Sequence, residues 1–284
     1  MKIVRIKELN RADLVIKWRC TYVCNFHCSY CYQDQNCVKD IENINYFEIA
    51  EKINALISRN SFKTVELMLI GGECSLLPLP DIITKINDLT HLHLTSNFSQ
   101  TVKFYNQLGQ QVKNFELCLS FHNEYFSAED FINKALKLDK NINLFVEMVQ
   151  NTETEKANKK MIELCQKYDI PYIVDTDRRQ GVNKGMALQS KIIPRLEVTF
   201  DNGKVKFYKN KTDLFFDEDI NAYKNKYLEL TGRTCTQGYD YIYIKGDKIF
   251  DMCSGRKTDI ETWKPEKRIC KANGCSFCGR MNIE

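Results

Sequence analysis

The sequence contains no long hydrophobic run. Nothing in its 284 residues approaches the ~18 consecutive apolar residues of a membrane-crossing helix, so no membrane partner is expected. Glycine (12) and proline (5) are sparse, which excludes collagen-like and low-complexity architectures. Net charge is low: 41 basic minus 37 acidic residues gives +4, and there is no basic tract, so nucleic acid is not an expected partner. The first residues, MKIVRIKELNRADLVIKW, lack the apolar stretch of a secretory signal. A cytoplasmic, reducing compartment is therefore the expectation. With 43% hydrophobic and 27% charged residues the composition is globular. The length suits two domains, or one large α/β domain with an appendage, and suffices to bury a core without covalent staples.

Cysteine is what the sequence has in excess: 13 residues, an odd number, and clustered. That is roughly half the ~8–10% of a short disulfide scaffold. In a reducing compartment, clustered cysteines point to metal binding or redox chemistry.

Along the first two thirds, short apolar segments alternate with amphipathic ones. Strands are predicted near 13–18, 64–70, 91–95, 115–121, 143–149 and 171–176. Helical patterns cover 42–59, 127–139 and 153–169, the second opening on a capping box, Ser127-Ala128-Glu129-Asp130. Strand–helix alternation implies a parallel sheet with right-handed crossovers, here an incomplete barrel of about six strands. Residues 177–194 read as a linker or active-site loop. Residues 195–208 read as a hairpin turning at Asp201-Asn202-Gly203, and 212–234 as a polar helical bridge. A second hairpin is predicted from 239–244 and 248–253. The expected organisation is α/β: a partial barrel (1–194), a bridge (195–234) and a small cysteine-rich hairpin-containing domain (235–284).

Just after the first predicted strand comes Cys24-Asn25-Phe26-His27-Cys28-Ser29-Tyr30-Cys31, a CxxxCxxC spacing. Three thiolates in eight residues can wrap one iron–sulfur cluster. Three protein ligands on four irons leave one iron open, which marks chemistry rather than structure. Cys20 lies four residues earlier, so a closed four-cysteine structural site is the competing arrangement.

These residues resemble the radical S-adenosylmethionine (radical SAM) enzymes. That signature carries an aromatic before the last cysteine, here Tyr30, and sits after the first strand of a partial (β/α)6 barrel. One strand later comes Gly71-Gly72-Glu73, similar to the family's GGE loop, which meets the SAM amino group; Cys74 stands where proline is usual. The resemblance also implies SAM contacts from Ser96 and Asn97 after the third strand and from Ser120 after the fourth. It covers roughly residues 12–177. It implies a 4Fe–4S cluster on Cys24, Cys28 and Cys31, SAM as cofactor, and a 5′-deoxyadenosyl radical that abstracts hydrogen from an unreactive carbon. A flavodoxin- or ferredoxin-type reductant is the implied partner.

Five cysteines fall in the last 50 residues: Cys235, Cys253, Cys270, Cys275 and Cys278. Their pattern resembles the twitch or SPASM extension of these enzymes, in which a hairpin gathers an auxiliary 4Fe–4S cluster. The preferred ligands are Cys235, Cys253, Cys275 and Cys278, with Cys270 competing for one place. A structural zinc ribbon is the alternative.

Cys20, Cys37, Cys74, Cys118, Cys165 and one C-terminal cysteine are left over. Cys165 suits the apolar face of a helix. Strand alternation places Glu116, Cys118 and Ser120 on one face, His93, Thr95 and Asn97 on one face, and Glu147 inward. A thiol near a substrate radical could return a hydrogen atom, and Cys74 and Cys118 are the candidates. Asp175, Asp177, Arg178 and Arg179 are candidate substrate or SAM contacts, against a plainer reading as solvated charges. Enzymes of this type mostly modify ribosomally made peptides or oxidise small alcohols and aminosugars. Peptide cross-linking, thioether formation or epimerisation is the first expectation, and dehydrogenation of a small molecule the second. A degenerate metal-binding scaffold is the non-enzymatic alternative. Tyr239, Tyr241 and Tyr243 either pack or offer an edge to a leader peptide.

Overall fold

The computed structural model describes residues 3–8, 12–31, 44–177, 196–208, 232, 234–235, 238–251 and 254–269. Its centre is a run of six parallel strands adjacent in chain order: β2 (Leu14–Thr21), β3 (Val65–Gly71), β4 (Leu89–Ser96), β5 (Asn114–Phe121), β6 (Ile142–Gln150) and β7 (Tyr172–Thr176). These are the six expected strands. Parallel neighbours need long crossovers. The crossovers carry α1 (Tyr46–Arg59), α2 (Leu79–Ile83), α3 (Val102–Gln111), α4 (Ala128–Ala135) and α5 (Glu155–Lys167).

The helices form where sequence period and caps agree. In α1, Ile49, Ile53, Leu56 and Ile57 recur at helical spacing and are buried, and the Asn45 side chain accepts from Glu48 N. Half of the expected capping box forms: Ser127 Oγ accepts from Asp130 N at 3.1 Å, while the Asp130 carboxylate accepts from the Ser127 hydroxyl at 2.7 Å. Helix α3 lies outside the helical patterns expected from sequence, and it contains Gly109. The structure gives that glycine a reason: a Cβ there would lie 2.9 Å from Ile142 Cγ1, so its absence lets α3 close on β6.

The sheet has two unlike faces. Leu67, Leu69, Leu92, Leu94, Leu117 and Leu119 are essentially fully buried in the core shared with the helices. The opposite face carries polar side chains: Lys17, His93, Thr95, Glu116, Ser120 and Glu147, all half-buried. A hydrophobic face against helices and a polar face opposite it is the division expected of a sheet that holds a ligand on one side.

The C-terminal hairpin joins this sheet. β11 (Tyr241–Lys245) runs parallel to β2, pairing Tyr243 with Lys17 and Lys245 with Arg19. β12 (Lys248–Phe250) and β13 (Lys257–Asp259) follow antiparallel, giving nine strands in the order β13-β12-β11-β2-β3-β4-β5-β6-β7. Tyr243 is paired on both sides, with Lys17 of β2 and Phe250 of β12, and so offers no edge to a leader peptide. Arg59 at the end of α1 donates to the carbonyls of Trp263, at 3.1 Å, and of Ile260, tying this segment to the helix layer.

The expected hairpin at 195–208 is present as β8 (Leu196–Phe200) and β9 (Val205–Tyr208), turning through Gly203 at φ +78°. β8 also pairs with β1 (Ile3–Glu8), a strand the sequence reading left out. β10 (Thr234–Cys235) pairs with β14 (Arg268–Ile269).

Candidate cofactor site

The ten residues after β2 hold Cys24, Cys28 and Cys31, and the ends of three neighbouring strands hold those residues in place. The nearest support is Gly71-Gly72. A Cβ on Gly71 would lie 2.1 Å from Thr21 O, and one on Gly72 2.2 Å from Val23 O. Only glycine lets the end of β3 lie flat on the backbone that leads to Cys24. Two hydrogen bonds result: Gly72 N donates to Thr21 O and Glu73 N to Val23 O, each at 2.8 Å.

Glu73 then turns away from the loop. Its side chain is 1% exposed. Oε1 accepts from Ser75 N and Ser96 Oγ, both at 2.9 Å, and Oε2 from Asn97 N at 2.5 Å. Burial pushes its pKa up, against the opposing pull of these three donors. The carboxylate braces β3 against β4. Ser96 is buried in the same network and also bonds Tyr105 Oη at 2.8 Å. Asn97 serves the loop directly, its Nδ2 donating to Asn25 Oδ1 at 2.9 Å and lying 3.7 Å from Cys24 Sγ.

The end of β5 holds the other side. Phe26 stacks on Tyr125, with centroids 3.8 Å apart and an interplanar angle of 2°. Tyr125 Oη accepts from His27 N at 2.6 Å. Glu124 Oε1 accepts from Ser29 N at 3.0 Å and Ser29 Oγ at 2.8 Å. His122 Nδ1 lies 3.2 Å from Cys28 Sγ and 2.9 Å from Tyr30 Oη. Burial lowers the His122 pKa to about 4, so the ring is neutral at neutral pH. Burial likewise raises Tyr30.

The three thiols share one environment. Burial first, and then Glu124, Cys24 and Cys31, push Cys28 up to about 12. Burial raises Cys24 too, with further contributions from Glu73 and Cys31. Among the described residues no three His, Cys, Asp or Glu side chains gather closely enough to hold a single metal ion. Three thiols within eight residues, each within electrostatic reach of the others, are a donor set of the kind that iron–sulfur clusters use. Cys20, the alternative fourth ligand, is elsewhere: it is 1% exposed with Sγ 2.9 Å from Cys74 Sγ, inside the hydrophobic core. Cys74, a candidate hydrogen-atom donor, is thereby placed on the helix side of the sheet.

Cys118 lies on the other side. Its thiol donates to Glu147 Oε2 at 3.3 Å. Burial, reinforced by the Glu147 charge, holds its pKa well above the ordinary thiol range. Beside it His93 Nδ1 meets Glu116 Oε1 at 2.7 Å and Thr95 Oγ1 lies 3.5 Å from His93 Nε2. Strand alternation had grouped these residues, and Ser120 stands opposite Glu147 in the register.

No protein-family model matches the chain, and no curated protein matches it. Solved structures do. The chain superposes on native anSMEcpe with bound AdoMet with a TM-score of 0.53, at 14% identity over 88% of this chain and 78% of that one. Native anSMEcpe with bound AdoMet and Kp18Cys peptide gives 0.52, at 14% identity and the same coverage. This is the radical SAM fold. At this identity the likeness is one of fold. Within the radical SAM fold, the cysteine loop of this chain follows the first parallel strand and the glycine pair ends the next, as the sequence motifs require.

Of the remaining candidates, Asp177 is buried at 2% exposure and accepts from Asn151 Nδ2 at 3.3 Å, joining the turn after β6 to the end of β7. Arg178, Arg179, Cys37, Cys253, Cys270, Cys275 and Cys278 lie outside the described residues, and of Cys235 only the strand position is described. Of the supporting residues, His122 belongs to the Ser120-Phe121-His122 stretch that the family resemblance marks for SAM contacts, whereas Glu124 and Tyr125 carry no motif. The only signal available was their place directly after Ser120 at a strand end.

Proposed function

We propose that the chain is a radical SAM enzyme that abstracts a hydrogen atom from an unreactive carbon of a peptide. The observation that carries this is the seating of Cys24, Cys28 and Cys31 on a loop that Gly71-Gly72 clamps at backbone distance, next to a polar sheet face. Bound there, a 4Fe–4S cluster with SAM supplies reductive cleavage to a 5′-deoxyadenosyl radical. Cys24, Cys28 and Cys31 hold the cluster. Gly72 and Glu73 fix the loop, and Asn97 orients its start. A peptide substrate is favoured because anSMEcpe, whose fold this chain shares, was solved with a Kp18Cys peptide. Cross-linking, thioether formation and epimerisation are the reactions in scope.

For epimerisation, the one of these reactions that restores a C–H bond, Cys118 is the residue we assign to hydrogen return. Only a protonated thiol can give up a hydrogen atom, and burial beside Glu147 keeps this one protonated. Its S–H bond breaks as a C–H bond forms on the substrate carbon, leaving a thiyl radical. One electron from a flavodoxin- or ferredoxin-type reductant and one proton, relayed by Glu147, restore the thiol. Cys235, Cys253, Cys275 and Cys278 would hold a second, auxiliary 4Fe–4S cluster.

The test is iron and acid-labile sulfide per chain after anaerobic reconstitution, with 5′-deoxyadenosine formation from SAM under reductant. About eight irons, falling to about four in Cys24→Ala/Cys28→Ala/Cys31→Ala with loss of SAM cleavage, supports the reading. Iron-free protein, or iron with no SAM cleavage, overturns it.

A further inference from the structure

His122 stands out among the groups around the loop, because its ring is aimed at a ligand sulfur rather than at open space. Nδ1 is 3.2 Å from Cys28 Sγ. Phe26 meets its edge at 90° with centroids 5.8 Å apart, and Tyr30 lies nearly parallel at 11° and 5.8 Å. The ring is thus held in one orientation from two sides. Tyr30 Oη, at 2.9 Å from the same Nδ1, is the second polar group at that position. When Cys28 is a thiolate it is an acceptor with no proton of its own, so the pair makes a hydrogen bond only if Nδ1 carries the hydrogen.

We propose that His122 donates its Nδ1–H to the Cys28 thiolate and thereby raises the reduction potential of the cluster bound by Cys24, Cys28 and Cys31. This rests on the reading of those three residues as cluster ligands. The physical basis is general: a hydrogen bond to a ligating sulfur withdraws electron density and stabilises the reduced, more negative cluster. His122 acts through Cys28 and is a positioning residue. The aromatic frame fixes the ring, and Tyr30, whose side chain also hydrogen-bonds Cys28, is the other polar group at that sulfur.

The experiment is an anaerobic potential titration followed by electron paramagnetic resonance on the reconstituted full chain, tracking the signal that changes on adding SAM. Wild type is compared with His122→Phe, which keeps an aromatic ring and removes the donor, and His122→Gln, which restores one. The expected result is a midpoint shifted to more negative potential in His122→Phe and returned toward wild type in His122→Gln. An unshifted His122→Phe midpoint overturns the proposal, as does a His122→Gln midpoint displaced as far as that of His122→Phe.

A second measurement stands even where His122→Phe takes up no iron. Histidine labelled with ¹⁵N is incorporated into the His27→Gln chain, and hyperfine coupling of nitrogen to the reduced cluster is recorded. Coupling that disappears in His27→Gln/His122→Gln supports the donor, and its absence from the His27→Gln chain overturns it. Failure of the underlying reading is distinct: that outcome is protein without iron, or with no SAM-sensitive signal.

Discussion

Gly72→Ala adds one methyl group where the structure has no room for it. The new Cβ would sit 2.2 Å from Val23 O and 2.6 Å from both Tyr22 O and Val23 C. Unstrained carbon contacts need about 3.5 Å, so the loop or the strand must move by more than about 1 Å. All three obstacles are backbone atoms, and no rotamer change relieves them. Overpacking of this kind costs about 1–3 kcal/mol. The movement also lengthens the Gly72 N–Thr21 O and Glu73 N–Val23 O bonds, both 2.8 Å, at about 1 kcal/mol each. Together these give about 3–5 kcal/mol. Gly203→Ala is the control: nothing lies within 4 Å of its Cβ, and its φ of +78° costs only about 1–2 kcal/mol. Denaturant unfolding of the iron-free proteins measures stability, and iron content after reconstitution measures the loop. Gly72→Ala should lose both stability and iron, and Gly203→Ala should retain iron. A Gly72→Ala protein with wild-type unfolding midpoint and full iron would refute the clamp.

Replacing Cys20 or Cys74 by alanine should leave iron per chain unchanged, since both lie in the core away from the loop; a loss of about four irons would return Cys20 to the ligand set. Cys118→Ala should stop solvent deuterium from entering a peptide product while 5′-deoxyadenosine continues to form, and mass spectrometry of the product in D₂O reads this directly. Cys165 is fully buried and its thiol is pushed up to about 12. The unfolded chain therefore loses that proton first as pH rises past 9, and the folded state loses about 1.4 kcal/mol per pH unit between 9 and 12. Cys165→Ala should flatten that part of the stability profile, as followed by denaturant unfolding at stepped pH.

The six parallel strands were legible because each is a short run rich in Val, Ile and Leu bounded by polar turns. The cysteine and glycine motifs were legible because their chemistry depends on spacing within one segment. What escaped depended on contacts between distant segments. Cys20 and Cys74 are 54 residues apart, and nothing local says that they meet. Alternation could place Glu116 and Cys118 on one face, but it could not say that Glu73 turns its carboxylate into the protein. That outcome is set by the donors Ser75, Ser96 and Asn97, two of which come from another strand end. The hairpin at 241–250 was readable as a hairpin, whereas its parallel pairing with β2 spans more than 220 residues and leaves no local trace. Gly109 serves a close approach of α3 to β6, a role that only the folded arrangement reveals.

That long-range pairing sets the order in which the molecule can be completed. During synthesis β2 emerges among the first 21 residues, yet its outer edge waits for β11, which ends at Lys245. For most of the chain's emergence the strand beside the cysteine loop therefore has a bare, hydrogen-bond-hungry edge, the kind that recruits other chains. Pairings so distant in sequence also close slowly. Yield of native protein should accordingly depend on temperature and expression rate more than on the stability of the finished fold, and a chain cut before residue 241 should accumulate as aggregate.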